Sequence, residues 1–540
     1  MKRIEMINML RATPKWDICI IGGGATGLGI AVDAASRGLK TLLVEKSDFA
    51  KGTSSRSTKL VHGGVRYLQQ GNIKLVTEAL KERGVLLKNA PHLVKNQAFI
   101  VPNYKWWEGP YYGIGLKVYD WMAGSLGFGP SQFLSREETL ALAPTLDAGG
   151  LRGGVLYHDG QFDDARLAIH LAMTAADHGA TIINYVSVEG LLKANGKVSG
   201  VALRDELADS SAASYEITAN VVINATGVFT DSILKMDDSK SDPLITLSQG
   251  IHIIVDRRFL PSDTAILIPR TNDKRVLFAV PWHDKIIIGT TDTPVSEASS
   301  EPTATNEEID FVLQHIQKYL TKDPERSDIR SVFAGLRPLV KGQSKTTAGL
   351  SRDHLITISD SELITVTGGK WTTYRKMAED VLEIAIHKLG LTEKPVASTC
   401  QTKDLAIHGY RKDIDFTSPL YYYGEDEPAI REMILDDKVL GEKIHPLLPF
   451  VKAQIVWAVH HEMCMRIEDF LSRRSRALLL DARAAIESAP LVAEIMAKEM
   501  GKDSCWAKTE IDAFNSIAKN YLPASNLPAG QAGMEVQTSN

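Results

Sequence analysis

The chain has 540 residues, enough for several domains at a usual size of about 150 residues each. Its composition, 44% hydrophobic and 24% charged, is that of a globular protein, which excludes disorder and fibrous repeats for most of its length. With 61 Lys and Arg against 66 Asp and Glu, the net charge of −5 lacks the basic excess of a nucleic-acid-binding protein.

The cysteines and the apolar segments exclude further classes of protein. Four scattered cysteines form neither a C-x-x-C pair nor a zinc-binding spacing, so we expect no disulfide framework. No apolar run approaches the roughly 20 residues that cross a bilayer. Residues 1–15 lack the continuous apolar stretch of a secretory signal. We therefore expect a protein of the reducing cytosol without a membrane-spanning helix.

Three predicted elements near the start of the chain fit one β–α–β unit. The apolar run Trp16–Ile21 is typical of a buried parallel strand, and the Ala- and Leu-rich stretch Leu28–Arg37 is typical of a helix. A second strand is predicted at Thr41–Glu45. Together they occupy about 30 residues, which is the usual size of such a unit.

The turn after the first strand has a G-x-G-x-x-G pattern, formed by Gly22, Gly24 and Gly27. These glycines permit a tight turn, close approach of the backbone to a pyrophosphate, and close packing of helix on strand. The helix N-terminus offers free N–H groups to the phosphates. Glu45, at the end of the second strand, is placed to accept hydrogen bonds from a ribose. This combination favours a dinucleotide site over a purely structural turn.

The polar segment from Thr53 to Gly64 combines hydroxyl groups, cations, a histidine and two glycines. Its candidate ligand-binding residues are Thr53, Ser54, Ser55, Thr58, Lys59 and His62. Such a segment can wrap a phosphate-bearing ligand, and the alternative is a polar surface loop. Just beyond it, Arg66 stands beside Tyr67, and a guanidinium next to a hydroxyl group suits a phosphate.

Further elements are predicted along the rest of the chain. A helix from Asp163 precedes a strand at Thr181–Tyr185, and the region Leu244–Leu355 is mostly β, with a hairpin around Pro281–Asp284. A turn of small residues (Ala225, Thr226 and Gly227) follows another predicted strand, and it either approaches the cofactor or is an ordinary strand-to-turn junction. No second G-x-G-x-x-G follows a strand, which disfavours an enzyme that transfers electrons between FAD and NAD.

Taken together, these motifs resemble FAD-dependent glycerol-3-phosphate dehydrogenases. The resemblance is carried by Gly22–Gly27, by the long segment Gly52–Tyr67, by Gly335–Pro338 and by Gly368–Arg375, and it extends over roughly residues 16–490. It implies an α/β (α+β) fold in which a Rossmann-like FAD-binding domain is interleaved with an antiparallel-sheet substrate domain, followed by a C-terminal α-helical domain. The cofactor it implies is FAD.

Composition and element pattern along the chain predict the domain boundaries. Residues 1–395 form the interleaved FAD-binding and substrate-binding domains, with the substrate layer mainly at 90–160 and 244–355. Residues 396–522 form the helical domain, and 523–540 form a flexible tail.

The resemblance assigns roles to individual residues. Arg66, Tyr67 and Arg352 would hold the substrate phosphate, while Arg337 and Lys370 would lie near the reacting hydroxyl. His252 would lie beside the flavin, and it is the preferred general base because a neutral imidazole is available near pH 7. Arg337 is a weaker alternative because guanidinium stays protonated. The residues expected to bind FAD are Gly22, Gly24, Ala25, Thr26, Gly27, Glu45, Thr53, Ser54, Ser55, Thr58, Lys59, His62, Val186, Ala225, Thr226, Gly227, Gly369, Lys370, Trp371 and Thr372.

The reaction implied is oxidation of sn-glycerol 3-phosphate to dihydroxyacetone phosphate by hydride transfer to FAD. The electrons would pass to a membrane quinone, ubiquinone or menaquinone. One alternative is a glycerol-3-phosphate oxidase that uses oxygen and releases hydrogen peroxide. A second alternative is a flavin-binding sensor without turnover, which the set of Arg66, Arg337, Arg352 and Lys370 disfavours.

A quinone acceptor implies contact with a membrane surface. We expect a peripheral protein on the cytoplasmic face of the inner membrane, attached through the substrate-domain side, and a homodimer stays open. Arg473, Arg474 and Arg476 are interpreted as a basic helix face that is solvated, touches another domain or contributes weakly to lipid contact. No metal site is predicted, because the neighbouring His460 and His461 would point in different directions on a helix.

Overall fold

The computed structural model describes residues 1–64, 72–208, 214–269, 275–341, 353–390 and 399–523. Its first sheet is built on the predicted β–α–β unit, in which strand β1 (Trp16–Ile21) pairs in parallel with strands on both sides. The other strands of this sheet, in spatial order, are β17 (His354–Ile358), β18 (Ile364–Gly368), β10 (Ser214–Asn224), then β1, β2 (Thr41–Val44) and β7 (Thr181–Ile183). A hairpin of β8 (Val186–Ala194) and β9 (Lys197–Asp205) joins the sheet through β10.

Helices cover the first sheet, as an apolar parallel sheet requires. They are α1 (Arg3–Ala12), α2 (Ala25–Ser36), α6 (Asp164–Asp177) and α9 (Tyr374–Lys388). Helix α2 begins directly after Gly24, three residues before the predicted start at Leu28. Gly29 allows α2 to pack closely on α9, since an added Cβ would lie 2.8 Å from the Tyr374 ring. This close approach places the start of α9 beside the turn of the first unit.

The second sheet is largely antiparallel, and β12 pairs in parallel with β4. Its main strands, in spatial order, are β16 (Ser331–Val340), β11 (Ile245–Asp256), β14 (Lys285–Gly289), β13 (Leu277–Trp282), β12 (Ala265–Ile268), β4 (Val94–Asn103) and β6 (Gly153–Phe162). Short strands at its edges are β3 (Leu60–Val61), β5 (Gln132–Leu134) and β15 (Thr293–Val295). Helices packed around it are α3 (Ile73–Asn89), α4 (Glu108–Ala123), α5 (Arg136–Leu142) and α8 (Asn306–Ile316), whereas α7 (Thr230–Asp237) contacts β8 and β18 of the first sheet.

The two sheets confirm the predicted fold class. The hairpin around Pro281–Asp284 is present as β13 and β14. One strand differs from expectation, because β17 begins at His354, inside the range expected for the substrate layer, but pairs with β18 in the first sheet. The pairing with β18 places His354 and Leu355 in the same sheet as the strand that precedes the glycine turn.

The C-terminal region is helical, as predicted. Its helices are α10 (Glu427–Asp436), α11 (Lys452–His461), α12 (Ala477–Leu480), α13 (Ala482–Met500) and α14 (Ser504–Ala518). Helices α11 to α14 share a buried apolar cluster with Ile254, Trp282 and Phe333 of the second sheet, whereas Ile430 of α10 belongs to the cluster of the first sheet. Between α11 and α12, residues Asp469–Arg474 form a π-type turn. The C-terminal helices are thus packed on the same sheet that carries the predicted base.

Three arginines of this region are buried, so the solvated and lipid-contacting alternatives are wrong and the third one, contact with another domain, is the one observed. Arg473 is 2% exposed, and Arg474 and Arg476 are fully buried. Arg473 and Arg474 form ion pairs with Asp48, and Arg476 with Asp163. A buried charge needs a partner of opposite charge, and here the partners come from the FAD-binding half of the chain. Because these partners are far away in sequence, the residues around the arginines do not reveal them.

The adjacent histidines of α11 have separate partners. His460 contacts Glu499, His461 stacks on Trp457 at 3.9 Å, and Glu462 pairs with Arg166. Within the described ranges, no group of His, Cys, Asp or Glu side chains converges as a metal ligand set would. Among the described helices, none is long and apolar enough to cross a membrane.

His408 links the segment before α10 to α6, and this contact predicts a pH-dependent stability. Its Nδ1 lies 2.6 Å from Asp177 and its Nε2 3.1 Å from Asp426. Burial lowers the pKa of His408, but hydrogen bonds to the two carboxylates outweigh it and raise the pKa to about 9. Because the folded pKa exceeds the unfolded value of about 6.5, this stabilisation is complete below about pH 6.5 and is lost as pH rises through 9.

We therefore expect His408→Asn to lower the melting temperature at about pH 6 and to have little effect at about pH 10. Thermal unfolding followed by circular dichroism at both pH values measures this difference. His445→Asn is the control, because His445 contacts one carboxylate, that of the exposed Glu487. An equal loss at both pH values for His408→Asn would contradict the charged state assigned to this ring.

Candidate active site

A cleft of about 640 Å³ lies where the carboxyl ends of the parallel strands face the second sheet. Its volume is typical of a ligand or cofactor site. Fourteen of the residues expected to bind FAD line it: Gly22, Gly24, Ala25, Thr26, Glu45, Thr53, Ser54, Val186, Ala225, Thr226, Gly227, Gly369, Lys370 and Trp371. The position matches the general rule that open α/β sheets bind ligands outside the carboxyl ends of their strands.

The glycine turn at one end of the cleft leaves no room for side chains. Gly22 has φ +111°, and a Cβ there would lie 2.7 Å from the Ala225 carbonyl oxygen. A Cβ on Gly27 would lie 1.9 Å from the Gly22 carbonyl oxygen, which explains why Gly27 supports the turn from behind without lining the cleft. Gly24 caps α2 without a side-chain hydrogen bond. The turn and the helix N-terminus therefore fit a pyrophosphate.

Glu45 presents its carboxylate at the wall of the cleft. One oxygen accepts a hydrogen bond from the Gly23 N–H at 2.6 Å, and the other accepts one from the Ser47 N–H at 2.9 Å. Burial raises the pKa of Glu45, and the two backbone N–H groups oppose that rise. An anchored carboxylate at this position suits the hydroxyl groups of a ribose.

The turn at Ala225–Gly227, whose role the sequence left open, forms part of the cleft wall. The Ala225 N–H donates to the Ile21 carbonyl oxygen at 2.9 Å, which brings the turn beside Gly22. Gly227 has φ +58° and begins the short 3-10 helix Gly227–Phe229. The position is the one expected for a second approach of the backbone to a cofactor.

Another part of the cleft wall is formed by Gly369, Lys370 and Trp371. Gly369 has φ +70°, and an added Cβ would lie 2.3 Å from the Met377 sulfur. The Trp371 indole N–H donates to the Ser54 carbonyl oxygen at 2.8 Å. This bond ties the 368–371 turn to the polar segment 53–64, so residues 317 positions apart in sequence form one wall.

Several residues predicted to bind FAD support the wall from behind. Thr372 accepts a hydrogen bond from the His62 N–H at 3.2 Å, and Thr58 contacts His252. Ser55 is buried, and its carbonyl oxygen accepts a hydrogen bond from the Lys59 ammonium at 2.7 Å. These side chains shape the wall but are not among the residues that line it.

The prediction that Lys59 contacts the cofactor is wrong for its side chain. Lys59 is fully buried, and its Nζ lies 2.7 Å from Asp164 on α6, beneath the rings of Trp282 and Phe333. Burial lowers the pKa of Lys59, and the Asp164 carboxylate opposes that shift. The ion pair holds the 53–64 segment against α6, which is a structural role.

His252 and Arg337 lie on one face of the second sheet. Strands β11 and β16 pair so that Ser248 is opposite Arg337, Gly250 opposite Gly335, and His252 opposite Phe333. Because side chains two positions apart share a face, the ring and the guanidinium project on the same side. Gly250 makes space for Arg337, since an added Cβ would lie 2.2 Å from its Nη2.

The environment of His252 keeps its ring neutral. Its Nε2 lies 2.9 Å from the Thr58 hydroxyl oxygen, and the ring stacks on Phe333 at 4.9 Å. Burial holds the pKa of His252 well below its ordinary value, and the charges of Lys59 and Arg337 lower it further. A neutral imidazole at this position can accept a proton.

Arg337 is oriented by the end of β14 and by Asp292. Its Nη2 donates to the Thr290 hydroxyl oxygen at 3.0 Å, and its Nη1 lies 3.9 Å from the Asp292 carboxylate. Asp292 in turn accepts a hydrogen bond from Ser248. Arg337 itself and His252 are not among the residues that line the cleft, although Pro338, next to Arg337 in the chain, is.

Some predicted site residues lie outside the part of the chain that the structure describes, and some residues that line the cleft belong to no sequence motif. Arg66, Tyr67 and Arg352 lie outside the described residues. Residues that line the cleft without a sequence motif are Lys51, Phe229, Ser232, Ile233, Met236, Ala298, Ser299 and Ser300. Their sequence signal is weak, although Ser232 to Met236 follow the Ala225–Gly227 turn directly.

Comparison with known proteins identifies the family. Residues 17–375 match the family described as FAD dependent oxidoreductase, and residues 400–507 match the C-terminal domain of alpha-glycerophosphate oxidase. The mitochondrial glycerol-3-phosphate dehydrogenase of Schizosaccharomyces pombe is 38% identical, covering 96% of this chain and 89% of that protein. The chain belongs to the family of FAD-dependent glycerol-3-phosphate dehydrogenases. The resemblance drawn from the motifs is thereby confirmed, and FAD is the cofactor.

Other relatives agree with this assignment. The human mitochondrial glycerol-3-phosphate dehydrogenase is 39% identical over 93% of this chain and 73% of that protein. The crystal structure of glycerol-3-phosphate dehydrogenase from Bacillus halodurans complexed with FAD superposes with a TM-score of 0.78, with 28% identity and 99% coverage of both chains. The FAD-bound L-alpha-glycerophosphate oxidase of Mycoplasma pneumoniae shares the fold, with a TM-score of 0.55, 18% identity, and coverage of 69% of this chain and 95% of that one.

Proposed function

We propose that this protein oxidises sn-glycerol 3-phosphate to dihydroxyacetone phosphate and passes the electrons to a membrane quinone. The observation that carries the proposal is similarity along nearly the whole chain to proteins named glycerol-3-phosphate dehydrogenase, both in the FAD-binding half and in the C-terminal region. Two further observations support it: Lys370 lines a cleft that fits FAD, and His252 and Arg337 share one face of the second sheet.

In this proposal FAD, held by the cleft residues named above, would supply the acceptor for the hydride that leaves C2 of the substrate. The chain's own residues handle the proton and the charge. In the tautomer that we propose, Nε2 of His252 donates to the Thr58 hydroxyl, and Nδ1, a buried atom without a hydrogen-bond partner among the described residues, accepts the proton of the C2 hydroxyl. Arg337 and Lys370 stabilise negative charge that develops on the C2 oxygen. Arg66, Tyr67 and Arg352 bind the phosphate, as the resemblance implies.

The proposal predicts that glycerol 3-phosphate reduces the bound flavin without oxygen. Anaerobic mixing of the holoenzyme with sn-glycerol 3-phosphate should bleach the flavin absorbance, while glycerol, which lacks the phosphate, should leave it unchanged at the same concentration. A holoenzyme with full flavin content that glycerol 3-phosphate does not bleach would overturn the assignment.

Oxygen is the second candidate acceptor, favoured by the match of residues 400–507 to a domain named after alpha-glycerophosphate oxidase. The substrate-reduced enzyme can be mixed with a quinone analogue or with oxygenated buffer, and the two reoxidation rates compared. Faster reoxidation by the quinone supports the dehydrogenase. Faster reoxidation by oxygen, with peroxide formed in equal amount, supports the oxidase.

We further propose that α4 is the membrane-docking element. Its outward face carries large apolar side chains at helical spacing, with Tyr111, Ile114, Val118 and Trp121 all exposed, and Trp106 lies just before it. The exposed fractions of Trp106, Ile114 and Trp121 are 76%, 64% and 82%. Leu116 and Tyr119 on the opposite face are buried against the substrate-domain side.

A lipid surface fits this face better than a protein partner, because its aromatic content is typical of the membrane interface. Lys105 and Lys117 flank the patch, with their ammonium groups near the rings of Trp107 and Phe133. A helix whose apolar side chains enter the lipid headgroup region, with cations beside them, is typical of helices that lie in a membrane interface. Docking on the cytoplasmic face of the inner membrane and a homodimer are parts of the same proposal.

The docking proposal predicts that Trp121→Glu weakens attachment to vesicles that contain anionic lipid. The expected loss is about tenfold in partition coefficient, equivalent to about 1.4 kcal/mol. Sedimentation with vesicles measures it. Leu435→Glu is the matched control, since Leu435 is 75% exposed but lies on α10, away from the patch. Equal binding of the Trp121 variant and the unmodified protein would exclude α4 as the docking element.

A further inference from the structure

The segment that follows β2 forms part of the cleft wall without being a helix or a strand. The residues of this segment that line the cleft are Glu45, Lys46, Ser47, Ala50 and Lys51. Backbone hydrogen bonds tie its ends to the β7–β8 corner and to Gly23, since Val186 N–H donates to Glu45 and Ala50 N–H donates to Gly23. Asp48, in the middle, is fully buried and is not among the residues that line the cleft.

The side chain of Asp48 is held mainly by the C-terminal domain. Its Oδ2 accepts hydrogen bonds from Arg473 Nε and Arg474 Nη1, both at 2.5 Å. Its Oδ1 accepts from Arg474 Nη2 at 2.9 Å and from the Asn184 amide at 3.2 Å. The two arginines are 425 and 426 residues away in sequence. Four donors on two oxygens fix this side chain in one orientation.

Asp48 is charged, although it is buried. Burial alone would raise the pKa of Asp48, but Arg474 and Arg473 outweigh it and lower the pKa to about 2. Arg474 also donates to the Glu462 carbonyl oxygen, and Arg473 has a second carboxylate partner in Glu468. The arginines are thus anchored in the C-terminal domain whether or not Asp48 is present.

A second contact holds the same segment three residues later. The Lys51 ammonium lies 2.7 Å from both oxygens of Glu468 and 2.9 Å from Glu301. Glu301 also pairs with Arg56 at 2.7 Å, and it follows Ser300, which lines the cleft. The C-terminal domain, the β15–α8 connection and the segment after β2 therefore meet at one charged cluster on the cleft wall.

From this geometry we infer that the C-terminal helical domain determines FAD affinity, with Asp48, Arg473 and Arg474 as positioning residues. None of the three lines the cleft. They act by fixing the segment whose Glu45 carboxylate and neighbouring backbone face the cofactor. The inference rests on the placement of FAD in this cleft proposed above, but not on the identity of the substrate. It gives the helical domain a role in cofactor retention.

The test is Asp48→Asn in the full-length holoenzyme, with Asp163→Asn as the matched control. Asp163 is equally buried, pairs with Arg476 of the same domain, and is also not among the residues that line the cleft. Both substitutions remove one negative charge opposite a C-terminal arginine. FAD release on dilution is followed by the rise in flavin fluorescence, and the dissociation constant is obtained at equilibrium.

We expect Asp48→Asn to raise the dissociation constant for FAD about tenfold or more, which corresponds to at least about 1.4 kcal/mol, and Asp163→Asn to leave it unchanged. Arg474→Met should also release FAD faster, and Arg474→Lys, which keeps the charge, should recover part of the affinity. Equal FAD affinity in Asp48→Asn and the unmodified protein would overturn the inference, as would equal weakening by Asp163→Asn.

Turnover at saturating FAD separates this inference from the proposed function. There, Asp48→Asn should show the kcat and the KM of the unmodified protein, because the effect lies in cofactor binding. If neither protein oxidises glycerol 3-phosphate, the proposed function fails while the difference in FAD affinity still stands.

If Asp48→Asn does not fold, hydrogen exchange on the unmodified protein tests the inference instead. Addition of FAD should slow exchange in peptides from residues 45–51 and also in peptides from 466–476, because the two segments are held together. Protection of 45–51 with no change in 466–476 would show that the C-terminal domain does not sense the cofactor, and would overturn the inference.

Discussion

Replacing His252 with glutamine should slow flavin reduction by glycerol 3-phosphate by about 10²- to 10⁴-fold, the usual range for loss of a general base. Glutamine keeps a polar group that can contact Thr58 but accepts no proton. Because His252 is not among the residues that line the cleft, FAD content should be retained. Stopped-flow anaerobic reduction measures the rate constant directly, without the acceptor step.

His315→Gln is the control for this substitution. His315 is also buried against the second sheet, but its ring contacts Phe311 within α8. Its replacement should leave the rate of flavin reduction unchanged. A His252→Gln enzyme that reduces its flavin within a factor of about two of the unmodified rate would remove His252 from proton transfer.

The low pKa of His252 fixes the pH dependence of the same step. Burial first, then Lys59 and Arg337, hold the folded pKa well below the ordinary value of 6.5, so the ring stays neutral as pH falls through that value. The base is therefore available on both sides of about pH 6.5, and the rate of flavin reduction should not fall between about pH 8 and 6. If the rate of flavin reduction instead falls on the acidic side with a midpoint near pH 6.5, and this fall is absent in His252→Gln, the ring is more exposed to solvent than the structure indicates.

The parts of this site that the sequence predicts are those whose partners are close in the chain. Gly22, Gly24 and Gly27 belong to one turn, and one helix and one strand separate this turn from Glu45. Their spacing in the sequence is therefore enough to predict that the turn and the carboxylate lie together. The geometry follows from hard-sphere limits: a Cβ on Gly27 would overlap the Gly22 carbonyl. The structure places all of these except Gly27 on the cleft wall.

Long-range partners explain what the sequence misses. Lys59 stands among residues suited to binding a phosphate. Its ammonium group instead pairs with the carboxylate of Asp164, which lies 105 positions later in the chain. Arg473 and Arg474 have the pattern of a solvated basic face, and their partner Asp48 lies more than 420 positions earlier. Local spacing carries no information on such pairs, whereas burial of a charge demands one.

The remaining prediction concerns Arg337, whose replacement by methionine should lower the rate of flavin reduction by about 10²- to 10³-fold. Methionine retains much of the apolar stem but carries no charge to favour the developing negative charge on the C2 oxygen. Lysine at this position restores a charge without the planar fork that contacts Thr290 and faces Asp292, so Arg337→Lys should recover only part of the loss.

Arg330→Met tests whether any arginine of this strand region would give the same effect. Arg330 lies just before β16, is half-exposed, and pairs with Asp256 at 2.6 Å on a part of β11 beyond His252. Arg330→Met removes one positive charge, as Arg337→Met does, and it also removes a surface ion pair. Such an ion pair contributes about 0 to 1 kcal/mol to the free energy of unfolding. Flavin reduction in Arg330→Met should therefore keep its normal rate. If the Arg330 and Arg337 variants are slowed equally, the effect is one of net charge, and Arg337 does not act at the reacting oxygen.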